Sequence, residues 1–161
     1  MSSAVIDRED FGWALGVVLR AYHSCVITAL GDFPHGPRGY QTLTVVVRGD
    51  QPSQLALAAF LGIDRTVMTY LIDDLVQAGL VERQLNPADR RQRKVVATAQ
   101  GRRALKDLQQ RVREAEDAVL GTLDAGERDA FRSMLRRVAC AVRDIEPVLD
   151  PCEVVSDALT R

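Results

Sequence analysis

The stretch PSQLALAAFLGIDRTVMTYLIDDLVQAG, residues 52–79, decides how the rest of the chain is read. Pro52-Ser53 opens a helix through Leu61, with Leu55, Ala58, Ala59 and Leu61 apolar, and Gly62 ends it. Asp64 stands where an N-cap should precede the next helix, which runs from Arg65 to Ala78 and stops at Gly79. A helix, a tight turn at Gly62-Ile63 and a second helix make a helix-turn-helix. At helical spacing, Met68, Leu71, Ile72 and Leu75 converge on one side, which must be core. Thr66, Thr69, Tyr70, Asp73 and Gln77 gather on the other, with Arg65 at the N-terminal end.

Immediately downstream, Leu80-Val81-Glu82-Arg83 and Arg93 to Ala97 are short alternating or β-branched stretches. Between them Asn86-Pro87-Ala88-Asp89-Arg90-Arg91 is rich in turn formers, so the segment reads as a β-hairpin with a long basic tip, a wing. From Arg83 to Lys94 the cations Arg83, Arg90, Arg91, Arg93 and Lys94 face Asp89 alone, whereas the whole chain carries a formal net charge of only −1. Acids dominate from Glu114 to Asp129 and from Asp144 to Asp157. The distribution of charge, not its total, points to nucleic acid.

The major groove admits a helix whose first turns carry base-reading side chains. Arg65 suits a bidentate contact to guanine, and Thr66 and Thr69 suit phosphates or bases; Ser53, Tyr70 and Arg93 complete the helix-and-strand set. Arg90 and Arg91 at the wing tip suit a narrow, electronegative minor groove, with Asp89 placed to orient the Arg91 guanidinium. The bland alternatives are an amphipathic helix with a solvated polar face and a solvated charge run.

Working outward, a first helix runs from about Asp7 to Leu30, with Phe11, Leu15, Val18, Leu19, Tyr22, Val26 and Leu30 at spacings of three and four. Gly31 to Pro37 reads as a loop. Gly39 to Arg48 reads as a short helix, although Val45-Val46-Val47 would also suit a strand. Thr98 caps a long helix to about Leu120, along which Leu105, Leu108, Val112, Ala115 and Val119 form a heptad seam. After Gly121, Asp124-Ala125-Gly126-Glu127 resembles a capping box that starts a last helix. Its apolar positions are Phe131, Met134, Leu135, Val138, Val142 and Ile145; Pro147 ends it, and a short helical turn follows Pro151. The seam exceeds what a small lobe can bury, so it is expected to pack with Phe131, Val138, Val142 and Ile145 across a two-fold axis.

With 47% hydrophobic and 27% charged residues the chain is globular rather than disordered. It has no uninterrupted run of about 18 apolar residues and no basic-then-apolar leader at Met1-Ser2-Ser3-Ala4-Val5, which leads to the expectation of a cytoplasmic protein with no membrane partner. Cys25, Cys140 and Cys152 lack CxxC spacing and the histidines are only His23 and His35, so neither a metal nor a cofactor is expected. Paired carboxylates, a nucleophile–base set and a phosphate-cradling glycine loop are all missing from the pattern, which argues against an enzyme.

Three segments together carry a family resemblance: Leu61-Gly62-Ile63-Asp64-Arg65-Thr66-Val67-Met68-Thr69, then Leu80-Val81-Glu82-Arg83 with Asn86-Pro87-Ala88-Asp89-Arg90-Arg91, then Thr98-Ala99-Gln100-Gly101. From about Pro52 to Leu105 the chain resembles the MarR family of winged helix-turn-helix transcriptional regulators. The Asp-Arg-Arg wing between these landmarks is the most specific part.

The resemblance implies a mainly α fold with a small β-hairpin wing: residues 1–34 an N-terminal dimerisation helix, 35–100 the DNA-binding lobe, 101–161 the C-terminal dimerisation helices. It implies a homodimer on a pseudo-palindromic operator, most simply a repressor released by a small aromatic or phenolic effector, with Trp13, Tyr22, His23 and Tyr40 as candidate pocket residues. Cys25 on the first helix leaves a thiol-based redox repressor open, and a winged-helix protein-interaction module without DNA binding is the other alternative. Tyr70 and Asp74 depart from the family's frequent arginines, and Asp74 places negative charge near DNA.

Overall fold

The computed structural model describes residues 10–49, 53–87 and 93–145 of the chain. Its elements are α1 (Phe11–Leu30), α2 (Gly36–Arg48), α3 (Gln54–Leu61), α4 (Arg65–Gln77), β1 (Val81–Leu85), β2 (Arg93–Ala97), α5 (Ala99–Val119) and α6 (Ala125–Ile145). Six helices and one antiparallel hairpin match the fold class that the patterning predicts. The expected helix start at Asp7, the opening Pro52, the wing-tip residues Asp89, Arg90 and Arg91, and Pro147 and Cys152 lie outside the described residues.

Local chemistry accounts for the boundaries. Asp10, Ser53 and Thr98 each accept a backbone N–H from the first turn of their helix, and Asp64 accepts two. The capping box at α6 is reciprocal: Asp124 N–H donates to Glu127 at 2.9 Å and Glu127 N–H returns to Asp124 at 2.9 Å. Gly62 closes α3 at φ 66°, a left-handed turn that residues with a Cβ enter at a cost, and α4 leaves at 117° to α3. Residues 39–48 are helical rather than extended, and the helix starts earlier than expected, at Gly36. Pro37 falls in its first turn, where a missing N–H costs nothing.

Two clusters hold the chain together. The larger takes Leu43 and Val46 from α2, Leu57 and Ala58 from α3, Met68, Leu71, Ile72 and Leu75 from α4, Leu80, Val81, Val95 and Ala97 of the wing and Leu105 of α5. The four α4 residues are fully buried, each contributing about 1.5–3 kcal/mol of burial free energy. The smaller cluster is Val26 and Leu30 of α1 against Leu108 and Val112 of α5, and Phe33 and Tyr40 pack against both. This corrects the seam expectation. Leu105, Leu108 and Val112 are buried within one chain, because α1 and the lobe together offer enough apolar surface.

Large apolar side chains instead remain exposed on α1 (Phe11, Leu15, Val18, Tyr22) and α6 (Met134, Leu135, Val138, Val142). Across an 18-residue window α1 reaches a mean hydropathy of 1.4 with 11% of it buried, so by length and composition it is apolar enough to cross a membrane. Arg20 and His23 interrupt it, so it is not an unbroken apolar run. Between α5 and α6, Arg132 meets Asp117 at 2.7 Å, and Arg128 donates to the Leu120 and Leu123 carbonyls.

The start of α5 is locked onto the lobe. Thr98 Oγ1 donates to the Gly79 carbonyl at 2.7 Å and accepts from Gly101 N–H at 2.9 Å, while Thr98 N–H donates to the Leu80 carbonyl at 3.1 Å. A Cβ on Gly101 would lie 1.9 Å from the Leu80 carbonyl oxygen. Gly101→Ala is therefore expected to destabilise the protein, although alanine favours a helix over glycine by about 1 kcal/mol. The backbone must move to admit the methyl, at a cost of at least about 1–3 kcal/mol. Denaturant unfolding of wild type and variant checks the sign: a more stable variant rejects the locked joint.

Candidate nucleic-acid interface

Because Met68, Leu71, Ile72 and Leu75 are buried, the opposite face of α4 is turned outward. Arg65, Thr66 and Thr69 are exposed there, and Tyr70 is 64% exposed. Asp64 organises the entry, accepting Thr66 N–H at 2.7 Å and Val67 N–H at 3.3 Å. Those two backbone donors hold its carboxyl below the usual carboxylate range. The cap leaves Arg65 as the first full residue of the helix, aimed clear of the core.

A concavity of about 500 Å³ joins α3, α4 and the wing, lined by Ser53, Gln54, Arg65, Thr69, Arg83 and Arg93 among others. Four of the sequence candidates (Ser53, Arg65, Thr69 and Arg93) thus meet in one place. Ser53 also pairs with Lys94 in an isolated antiparallel bridge, which brings the α3 start against β2. The Ser53 hydroxyl oxygen accepts Ala56 N–H at 3.1 Å. Thr66 and Tyr70 lie outside the concavity, on the exposed face of the same helix.

Sequence reasoning missed Gln54 and counted Arg83 only as bulk charge. Arg83 Nη2 lies 2.6 Å from Asp73 and donates to Gln54 Oε1 at 3.1 Å; Arg83 Nε donates to the same oxygen at 3.4 Å. Gln54 Nε2 donates to Thr69 Oγ1 at 2.7 Å, and Thr69 Oγ1 donates to the Arg65 carbonyl at 2.9 Å. Nothing in the linear spacing of residues 54, 69, 73 and 83 signals this set. Both acids of α4 have cationic or imidazole partners, since Asp74 is 2.7 Å from His35 Nε2. Asp74 thus places its negative charge beside an imidazole. His35 itself sits at φ 58° before α2, a left-handed conformation uncommon for a residue with a side chain.

The four expected pocket residues do not line one cavity. A groove of about 670 Å³ between α1, α5 and α6 takes in Tyr22 with Phe11, Val18, Phe131 and Leu135, but not Trp13, His23 or Tyr40. Tyr40 packs beside Phe33 at the junction of the two clusters, and burial, reinforced by Glu116, raises its phenol above its ordinary value. Cys25 is half-buried on α1 and Cys140 exposed on α6, both as free thiols. Among the described residues, no group of three or more His, Cys, Asp or Glu is placed to hold a metal.

Comparison with known proteins gives the chain's family and fold relatives. The sequence profile of the MarR family matches residues 37–92. A Thauera aromatica protein, named for transcriptional regulation of the hcr operon, is 29% identical over 102 residues, covering 63% of this chain and 61% of its own length. Among solved structures, a MarR-family transcriptional regulator from Rhodococcus sp. RHA1 superposes with a TM-score of 0.68 at 29% identity, covering 86% of this chain and 98% of its own. CouR from Rhodococcus jostii RHA1, bound to p-coumaroyl-CoA, gives 0.65 at 30% identity, covering 81% of this chain and 92% of its own.

The Asp64 cap generates a pH prediction. Its folded-state pKa is lowered, so the stabilisation is complete above the unfolded value of about 3.9 and is lost as pH falls through the lower folded value. Asp64→Ala should therefore be less stable than wild type at pH 7, and the difference should shrink below about pH 4. Denaturant midpoints across that range check it, and a gap independent of pH would reject the charged cap.

Proposed function

This chain belongs to the MarR family of transcriptional regulators, and from that premise we propose that it acts as a homodimeric, sequence-specific DNA-binding repressor released by a small aromatic effector. The observation that carries the reading is the convergence of Arg65, Thr69, Ser53 and Arg93 around one concavity beside the exposed face of α4. Under this reading residues 35–100 form the DNA lobe, with α4 in the major groove and the basic wing, including Arg90 and Arg91, along the adjacent minor groove. Asp89 orients Arg91, and the protein works in the cytoplasm. A dimer on a two-fold axis prefers a pseudo-palindrome with half-sites about 10 base pairs apart.

The flanking segments 1–34 and 101–161 supply the dimer. Support comes from the apolar groove between α1, α5 and α6 and from the exposed row Met134, Leu135, Val138 and Val142. A second copy covering these surfaces accounts for the apolar exposure of α1 without a bilayer. The aromatic effector is suggested by the p-coumaroyl-CoA bound to CouR and by the aromatic side chains Phe33 and Tyr40 at the junction between the lobe and the flanking helices.

Two measurements test the proposal. Val138→Glu puts a charge on a position 60% exposed in the single chain, so the chain should fold yet sediment as a monomer at micromolar concentration. A variant that stays dimeric removes α6 from the two-fold. Arg65→Ala should weaken an operator selected from random duplexes by about 1–3 kcal/mol while leaving random DNA nearly unaffected. Equal loss on both, or no selected sequence at all, counts against base reading by α4.

A further inference from the structure

Resting on the reading of α4 as the base-reading helix, we infer that Arg83 is a positioning residue that sets the hydrogen-bond polarity of Thr69, and so which bases Thr69 accepts. A guanidinium has donors only, so it compels Gln54 to turn its carbonyl oxygen inward at 3.1 Å and its amide nitrogen outward. That nitrogen occupies one lone pair of Thr69 Oγ1 at 2.7 Å. The single hydroxyl proton of Thr69 is spent on the Arg65 carbonyl at 2.9 Å. One lone pair remains, so Thr69 presents the DNA with an acceptor and no donor.

The consequence is a specific preference. In the major groove only cytosine N4 and adenine N6 offer donors; guanine and thymine present oxygen acceptors at the corresponding edge. Thr69 therefore favours an amino-bearing base and disfavours both a carbonyl-bearing base and a phosphate oxygen. Asp73 completes the device, because its contact with Arg83 Nη2 at 2.6 Å holds the fork toward Gln54. The Arg83 side chain is 24% exposed, and its Nε and Nη2 are taken up by Gln54 and Asp73, whereas Arg93 of β2 is exposed.

The test uses the full chain as wild type, Arg83→Met, Arg83→Lys and Gln54→Ala, each first checked for an unchanged unfolding transition. In the free protein, the Gln54 side-chain amide should give two well-separated, slowly exchanging NMR signals in wild type. Those signals should collapse to the values of a solvated glutamine in Arg83→Met, with the α4 backbone amides unmoved. Operators are then selected from a random duplex pool. Wild type should enrich cytosine or adenine at one position in each half-site, and Arg83→Met and Gln54→Ala should lose that preference.

Affinity for the wild-type operator should fall by about 5- to 100-fold in Arg83→Met, with the salt slope and affinity for scrambled DNA unchanged. Arg83→Lys, which keeps the charge without the fork, should not restore the preference. The inference is overturned if Arg83→Met lowers the salt slope by about one unit, since Arg83 would then be touching phosphate. It is equally overturned if wild type and Arg83→Met select the same base at every position, or if the Gln54 signals are unchanged. Enrichment of no sequence by wild type sinks the regulator reading instead, and the Gln54 signals then still decide whether Arg83 holds the relay.

Discussion

The backbone-to-backbone contact between Gly101 and the Leu80 carbonyl is the constraint on which the other elements depend. It sits where the end of α4, the first strand of the wing and the start of α5 come together, and Thr98 stitches all three with one hydroxyl. The joint thus fixes the start of α5, a helix of 21 residues, against the end of α4 and the wing. Packed joints of this kind are stiff, since the atoms in contact are backbone and no flexible side chain lies between them. The same joint sends Leu105 into the lobe core and Leu108 and Val112 onto α1.

A second consequence follows for electrostatics. The recognition surface is built on a helix that carries two adjacent acids, and each acid is answered from a different element: Asp73 by Arg83 of β1, Asp74 by His35 before α2. Both acids of that helix thus have partners, and the cations Arg65 and Arg93 line the concavity beside it. The two bonds also tie α4 to β1 and to the residue before α2, so charge pairing and positioning are achieved by the same contacts. Exposed ion pairs add little stability on their own; their role here is geometric.

The apolar surfaces divide by purpose. What the lobe needs to fold is buried within one chain, including most of the α5 seam. Much of what stays exposed lies on α1 and α6 and around the groove between them, with further apolar side chains such as Leu55, Phe60 and Leu85 exposed on the lobe. Exposed apolar area of this extent on a folded chain marks an interaction surface.

The sequence by itself determined the element order, the helix-turn-helix, the wing and the caps at Ser53, Asp64, Thr98 and Asp124, because each rests on contacts within a few residues along the chain. It also determined which side of α4 is outward, since period 3.6 is a local property. The start of α2 was misjudged because Pro37 is tolerated in a first helical turn. Tertiary structure alone decided that Leu108 and Val112 meet Val26 and Leu30, that Asp74 meets His35, and that Gln54, Thr69, Asp73 and Arg83 form one hydrogen-bonded set. The contacting pairs are separated by 10 to 86 residues, and no periodicity reaches across a turn whose angle the chain must first adopt. The same reason separates the four candidate pocket residues: their types were legible, but that Tyr22 comes to the groove between α1, α5 and α6 and Tyr40 to the junction of the clusters was settled only by packing.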